Sequence, residues 1–182
     1  SELKLHCFDS MQAYNNPKPR HEWCFDWSSQ LGLVVNQIYW CSEVEEAFDK
    51  MAAGDAGAMK KYSEQQVQQI TDLIATTRRD LDKPSRQKIM NMITIDAHSR
   101  DMVISIVENG ENSKKCFKWM SQLRTYWDAD IDDSVIKICD AFFPYGYEYL
   151  GNGGRLVITP LTDRIYITAT QACWLSMGTA PA

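Results

Sequence analysis

The chain has 182 residues, 45% of them apolar and 24% charged, with 19 basic against 24 acidic side chains for a net charge of −5. That is an ordinary globular composition, long enough to bury about 70% of its unfolded surface as one domain or one and a fraction. Mild acidity argues against nucleic acid or an anionic membrane as the main partner, and no apolar run approaches the ~18 residues that span a bilayer.

Residues 1–27 read as irregular. Asn15-Asn16-Pro17-Lys18-Pro19 signals a loop, because each proline restricts its predecessor and lacks an amide donor. Trp23, Phe25 and Trp27 alternate, as a short strand does, or as anchors of a loop against the next helix. A first clear helix is predicted over 28–53, with Val34, Ile38, Cys41, Val44, Phe48 and Met51 in one apolar stripe. Glu43, Glu45, Glu46, Asp49 and Lys50 fall off that stripe and should be solvated. A second helix is predicted over 63–81 on Val67, Ile70, Ile74, Thr77 and Leu81, with Ser63 and Gln66 as a capping box. Asp82-Lys83-Pro84-Ser85 breaks it.

A third helix follows over 86–107. Ile89, Ile93, Ala97, Ile104 and Val107 mark one face, and Met92, Ile95, Met102 and Ile106 widen it, so contacts on two sides are expected. A short helix is predicted over 113–123. Aromatic and β-branched residues then dominate Arg124 to Trp127 and Val135 to Tyr149, which predicts two or three short antiparallel strands. A final helix is expected over 162–177, capped by Thr162 or Asp163. The fold class is therefore mainly α, with a small antiparallel β element in the C-terminal third.

The six cysteines, Cys7, Cys24, Cys41, Cys116, Cys139 and Cys173, have wide and unpatterned spacing. Reduced, mostly buried thiols on the cytosolic side are the simplest reading. His21 and Cys24 stand three apart, but no second pair completes a tetrahedral metal site, so no metal ligand is assigned. Asp96 with Arg100, and His98 with Asp101, have helical pair spacing. This face reads as solvated or interfacial ion pairs; no nucleophile or oxyanion site accompanies it, so no catalytic residue is assigned. Trp119, Tyr126, Trp127 and Trp174 read as core anchors.

Composition does not explain one run: Tyr145-Gly146-Tyr147-Glu148-Tyr149-Leu150-Gly151-Asn152, then Arg155-Leu156-Val157-Ile158-Thr159-Pro160-Leu161-Thr162-Asp163-Arg164. It resembles the start of the first AAA+ module of dynein heavy chains, where the mechanical linker runs into the ATPase ring. Upstream, Gln37-Ile38-Tyr39-Trp40 with Glu43-Val44-Glu45-Glu46-Ala47 is similar to a dynein linker segment. Gln87-Lys88-Ile89-Met90 with Thr94-Ile95-Asp96-Ala97-His98-Ser99-Arg100-Asp101 is similar to the late linker helix of axonemal chains. Trp119-Met120-Ser121-Gln122-Leu123-Arg124-Thr125-Tyr126-Trp127-Asp128 also matches that family, with wording nearest to outer-arm chains of the beta type. Two departures are small: Ile165 replaces a common Cys, and Gly153-Gly154 replaces a Thr-Pro or Ser-Pro pair.

The resemblance implies linker over 1–140 and an incomplete first AAA+ module over 141–182. By spacing alone, Leu156-Val157-Ile158-Thr159-Pro160 is a buried edge strand ending at a proline corner. The resemblance instead makes Leu156, Val157, Ile158, Thr159 and Pro160 the adenine side of an ATP pocket. It implies ATP or ADP with Mg²⁺ in the intact motor, held by a Gly-Pro-Ala-Gly-Thr-Gly-Lys-Thr phosphate loop beyond Ala182. The missing initiator Met and the abrupt end suggest a fragment, expected by itself to bind no cofactor well and to hydrolyse nothing. Implied partners are the rest of the heavy-chain ring, the microtubule and other dynein subunits; implied locations are cytoplasm, cytoskeleton and the axoneme of cilia or flagella. The alternative is a standalone α-helical interaction module without ATPase.

Overall fold

A computed structural model of the protein describes residues 2–14 and 16–180. Its helices are α1 (Glu2–Gln12), α2 (Arg20–Trp23), α3 (Ser29–Ala52), α4 (Ala58–Thr76), α5 (Lys83–Glu108), α6 (Phe117–Met120) and α7 (Pro160–Trp174). β1 (Arg124–Asp128), β2 (Asp133–Ile138) and β3 (Ala141–Pro144) form one antiparallel sheet in the order β1-β2-β3. Tyr126 stands opposite Val135, and Ile136 opposite Phe143. The mainly helical class with a small sheet holds. Among the described residues no helix is long and apolar enough to cross a membrane.

Helix α3 is the hub, packing against α1, α4, α5 and β1, while α4 packs along α5. Ser28 caps α3 by accepting from the Leu31 amide at 3.4 Å. Asp82 caps α5 by accepting from the Ser85 amide at 3.1 Å. Pro84 therefore lies inside the first turn of α5, where a missing amide costs nothing, and not in a break before it.

Several expectations shift. Residues 2–12 form α1 and 20–23 form α2, so the first 27 residues are not irregular. Trp23 ends α2 and Trp27 packs on the core from a turn, so their alternation anchors a loop and is no strand. Of the predicted loop, Asn15 lies outside the described residues and the segment from Asn16 bends into α2. The tail Pro181-Ala182 also lies outside them. Helix α4 begins at Ala58, and the Ser63 hydroxyl donates to the Lys60 carbonyl, so the Ser63–Gln66 capping box does not form. The buried face of α4 is Met59, Tyr62, Gln66, Ile70, Leu73 and Thr76, which leaves Val67 and Ile74 exposed. The polar Gln66 and Thr76 mask the true stripe. The helix predicted over 113–123 contracts to α6, and the last helix starts two residues early.

Among the described residues the core forms two apolar clusters. One gathers Trp23, Leu31, Val35, Leu73, Ile89 and Met92; the other gathers Trp40, Val44, Phe48, Met59, Val103 and Trp119. Beside the first cluster, α2, α3 and α5 meet in a buried polar layer. Arg20 of α2 donates to Asp96 of α5 at 2.5 Å and to the Asn36 amide oxygen, while Asn36 donates to Asp96 at 2.8 Å. Glu43 and Glu45 are half-buried, not solvated: Tyr62 donates to Glu43 at 2.8 Å, and Tyr126 donates to Glu45 at 2.5 Å. A carboxylate facing a phenol from a neighbouring element can leave water at modest cost.

Burial also sorts the thiols. Cys7, Cys24 and Cys41 are buried, and burial pushes Cys24 up to about 11 and Cys41 up to about 12. Only the thiolate attacks disulfide reagents. Near about pH 8, exposed Cys173 is therefore expected to react first, with Cys24 and Cys41 reacting only as the chain opens. Mass mapping after brief labelling checks this; equal labelling of Cys41 and Cys173 would overturn it.

Candidate functional site

Beyond β3 the chain has no regular structure from Tyr145 until α7. It forms a strap across the helical body. The tyrosines alternate: Tyr145 and Tyr147 pack on the first apolar cluster, while Tyr149 is 86% exposed. Tyr147 donates to the Ser134 hydroxyl at 2.9 Å, and the Tyr145 amide donates to the Ser134 carbonyl at 2.8 Å. Burial pushes both phenols up, so they remain neutral hydrogen-bonding groups. Gln30 of α3 meets the strap with both ends of its amide. Its nitrogen donates to Tyr145 Oη at 2.9 Å and to the Glu148 carbonyl at 2.6 Å, and its oxygen accepts from the Leu150 amide at 3.0 Å. Asn91 of α5 donates to the Gly153 carbonyl at 2.8 Å.

Leu156 to Thr159 follows as a loop and Pro160 opens α7, so this stretch is not a buried edge strand. Leu156 is 77% exposed and Val157 is 65% exposed. Among the described residues, no hydrogen bond engages the backbone of Leu156, Val157 or Ile158. Such groups are open to hydrogen bonding, with apolar side chains beside them. On its inner side the loop walls a cleft of about 320 Å³ against α5, lined by Ala97, His98, Asp101, Met102, Val157 and Asp163 among others.

The loop ends at a well-made helix start. Thr159 caps α7, accepting from the Thr162 amide at 3.3 Å, while Thr162 Oγ1 accepts from the Thr159 amide at 2.7 Å. Thr159 is thus the cap in place of Thr162 or Asp163, with Thr162 completing a capping box. None of α7 is buried, and Leu161, Ile165, Tyr166 and Leu175 face out. The helix leans on the sheet through Gln171, which donates to the Ile138 carbonyl at 2.9 Å, and through Trp174 edge-on to Phe143. Trp174 is therefore a half-exposed brace, whereas Trp119 is a fully buried anchor.

The helical pairs expected on α5 do not form. Asp96 turns inward to Arg20, Arg100 bonds Asp101 at 2.6 Å, and His98 meets the Gln122 side chain at 3.1 Å. Sequence reasoning missed Arg20, Gln30, Asn36 and Asn91. For Gln30, Asn36 and Asn91 the only signal was a polar residue at a buried phase of a long helix; Arg20, in the short polar α2, carried none. Among the described residues no three His, Cys, Asp or Glu side chains converge as metal ligands.

Residues 145–182 match the family described as the hydrolytic ATP-binding site of the dynein motor region. The chain is 72% identical over 165 residues, 91% of its length, to the dynein alpha chain of the flagellar outer arm from Chlamydomonas reinhardtii. It is 47% identical over 96% of its length to human dynein axonemal heavy chain 9. It is 45% identical over its whole length to the ciliary dynein beta chain of Tripneustes gratilla. The outer-arm likeness thus holds, with the wording shared by beta chains found more fully in an alpha chain. The chain spans about 4% of the length of each of these relatives. Identity this high across the helical body as well as the tail sets aside an unrelated interaction module. The chain belongs to the axonemal dynein heavy chains.

Proposed function

We propose that residues 1–140 are the C-terminal part of the dynein linker and 141–182 the opening of the first AAA+ module. Leu156, Val157, Ile158, Thr159 and Pro160 supply the adenine side of the ATP pocket. ATP or ADP with Mg²⁺ takes its phosphate and metal contacts from the phosphate loop of the parent motor. These 182 residues alone lack that loop and bind nucleotide poorly. The supporting observation is that the stretch matching the hydrolytic ATP-binding site, residues 145–182, includes a solvent-facing loop with unbonded backbone at 156–158.

In the parent motor, nucleotide at this module biases a two-position equilibrium of the linker, and the swing becomes force on a microtubule. The sheet and the strap join arm to pocket in sequence and carry the coupling. The motor's partners are the rest of its ring, the microtubule and other dynein subunits. It works in the axoneme of cilia or flagella, the setting its relatives' names print, and so within the cytoskeleton and cytoplasm.

In a heavy chain that continues through the phosphate loop, Val157→Asp is expected to weaken nucleotide binding about ten-fold or more, a loss of about 1.4 kcal/mol. The carboxylate would sit in water when the site is empty and be desolvated by the base when it is filled. Because Val157 is exposed, the fold should not feel the change. A nucleotide titration with unchanged Kd would overturn the adenine-side role.

A further inference from the structure

We infer that Gln30 and Asn91 are positioning residues that hold the strap and so set where the loop at 156–160 stands. The functional meaning rests on the adenine-side reading; the geometry does not. Gln30 is 4% exposed and Asn91 is 1% exposed, so both amides must find partners inside the protein. Both find them in the strap. The two donors and the acceptor of Gln30 are all spent on Tyr145, Glu148 and Leu150. Asn91 donates to the Gly153 carbonyl and at 3.5 Å to Asn152, and accepts from Gln87 at 3.0 Å. Asn152 in turn donates to the Pro84 carbonyl at 3.0 Å, closing the strap onto the start of α5.

Among the described residues the polar attachment to the body stops after Gly153. The next hydrogen bond from this segment to the body is Gln171 to Ile138, on α7. The loop is therefore a span strung between two anchors on different supports. One anchor is the pair of amides on α3 and α5; the other is the sheet. Any shift of α3 or α5 against the sheet moves one end of the span and leaves the other in place. Two side chains with no part in base contact thereby connect the helical body to the loop.

Tryptic cleavage of the 182-residue chain after Arg155 tests this without nucleotide, so its failure and a failure of the adenine-side reading are separable. Arg155 is exposed and lies two residues past the last amide anchor. Cleavage there requires the local chain to open into the protease. Gln30→Met and Asn91→Leu keep size and remove the bonds. Each is expected to raise the initial cleavage rate after Arg155 about ten-fold, with cleavage after Lys50, Lys61 and Arg86 unchanged. An unchanged rate after Arg155 would overturn the assignment. Should the core variants speed every site together, Asn152→Ala carries the test, because this half-buried side chain belongs to the strap. A several-fold rise confined to Arg155 then supports the assignment, and no rise overturns it.

Discussion

Asp96→Ala is expected to destabilise the chain by about 3–5 kcal/mol, the cost of leaving a buried charge without its partner. Arg20 and Asp96 are both buried, at the crossing of α2, α3 and α5. Burial disfavours the guanidinium charge, yet the neighbouring Asp96 carboxylate and Tyr14 more than offset it, and the Arg20 pKa is raised. Asn36 bonds both partners, so the charge pair is satisfied on several sides. Removing the carboxylate leaves the buried guanidinium without its countercharge and one Asn36 donor without its acceptor. Urea unfolding measures this as a shift in midpoint at unchanged slope. A loss below about 1 kcal/mol would mean that water reaches the site and replaces the carboxylate. The double variant Arg20→Met with Asp96→Leu is expected to recover most of the loss, because apolar residues of similar volume often match a buried pair.

Trp119→Ala is expected to cost about 3–5 kcal/mol by the cavity it leaves. The indole is fully buried in the second cluster, edge-on to Trp40 at 5.1 Å and tilted to Phe48 at 6.5 Å. Its nitrogen donates to Glu45 at 3.4 Å, and the Arg124 guanidinium lies 5.9 Å from the ring. The residue belongs to α6, the four-residue turn that feeds β1. Its loss should therefore loosen the sheet before the long helices. Hydrogen exchange resolves that order: amides of β1 and β2 are expected to lose protection first, with α3 and α5 following. Simultaneous loss would show that sheet and helices open as one unit. Trp119→Phe retains most of the contact area and should cost less than half as much.

The first effect concerns how α2, α3 and α5 hold one another, and the second how the helical body holds the sheet, which in turn holds α7. If that body is the end of the linker, its stiffness decides how faithfully a displacement reaches the strap. A close-packed interior shifts between discrete arrangements and does not deform smoothly. The buried polar layer and the indole cluster are thus candidates for keeping α3 and α5 in register while the strap takes up the motion.

The long helices were legible because their evidence is local. Ser28 and the stripe through Val34, Ile38, Cys41 and Val44 mark α3 with no knowledge of its neighbours. The sheet was legible as a change of composition, though composition allows two or three strands and an end at Tyr149 in place of Pro144, and the family was legible in the wording of residues 145–164. Helix α1 was not, because its inward face carries Ser10 beside Cys7, and one polar residue in so short a helix erases the period. The start of α5 was missed because Pro84 signals a stop or a first turn equally well, and only the cap by Asp82 decides.

By itself, then, the sequence determined the long helices, that a small sheet follows them, and which family they serve. Tertiary structure alone decided which polar residues are buried and what they hold. Asp96 faces Arg100 by helical spacing but bonds Arg20, 76 residues away. Gln30 reaches Leu150 across 120 residues, and Asn91 reaches Gly153 across 62. The reason is energetic. An apolar side chain gains by leaving water whatever covers it, so its period shows in one element. A buried amide or charge is stable only when its partner arrives from another element, and the period of one element carries no record of that partner.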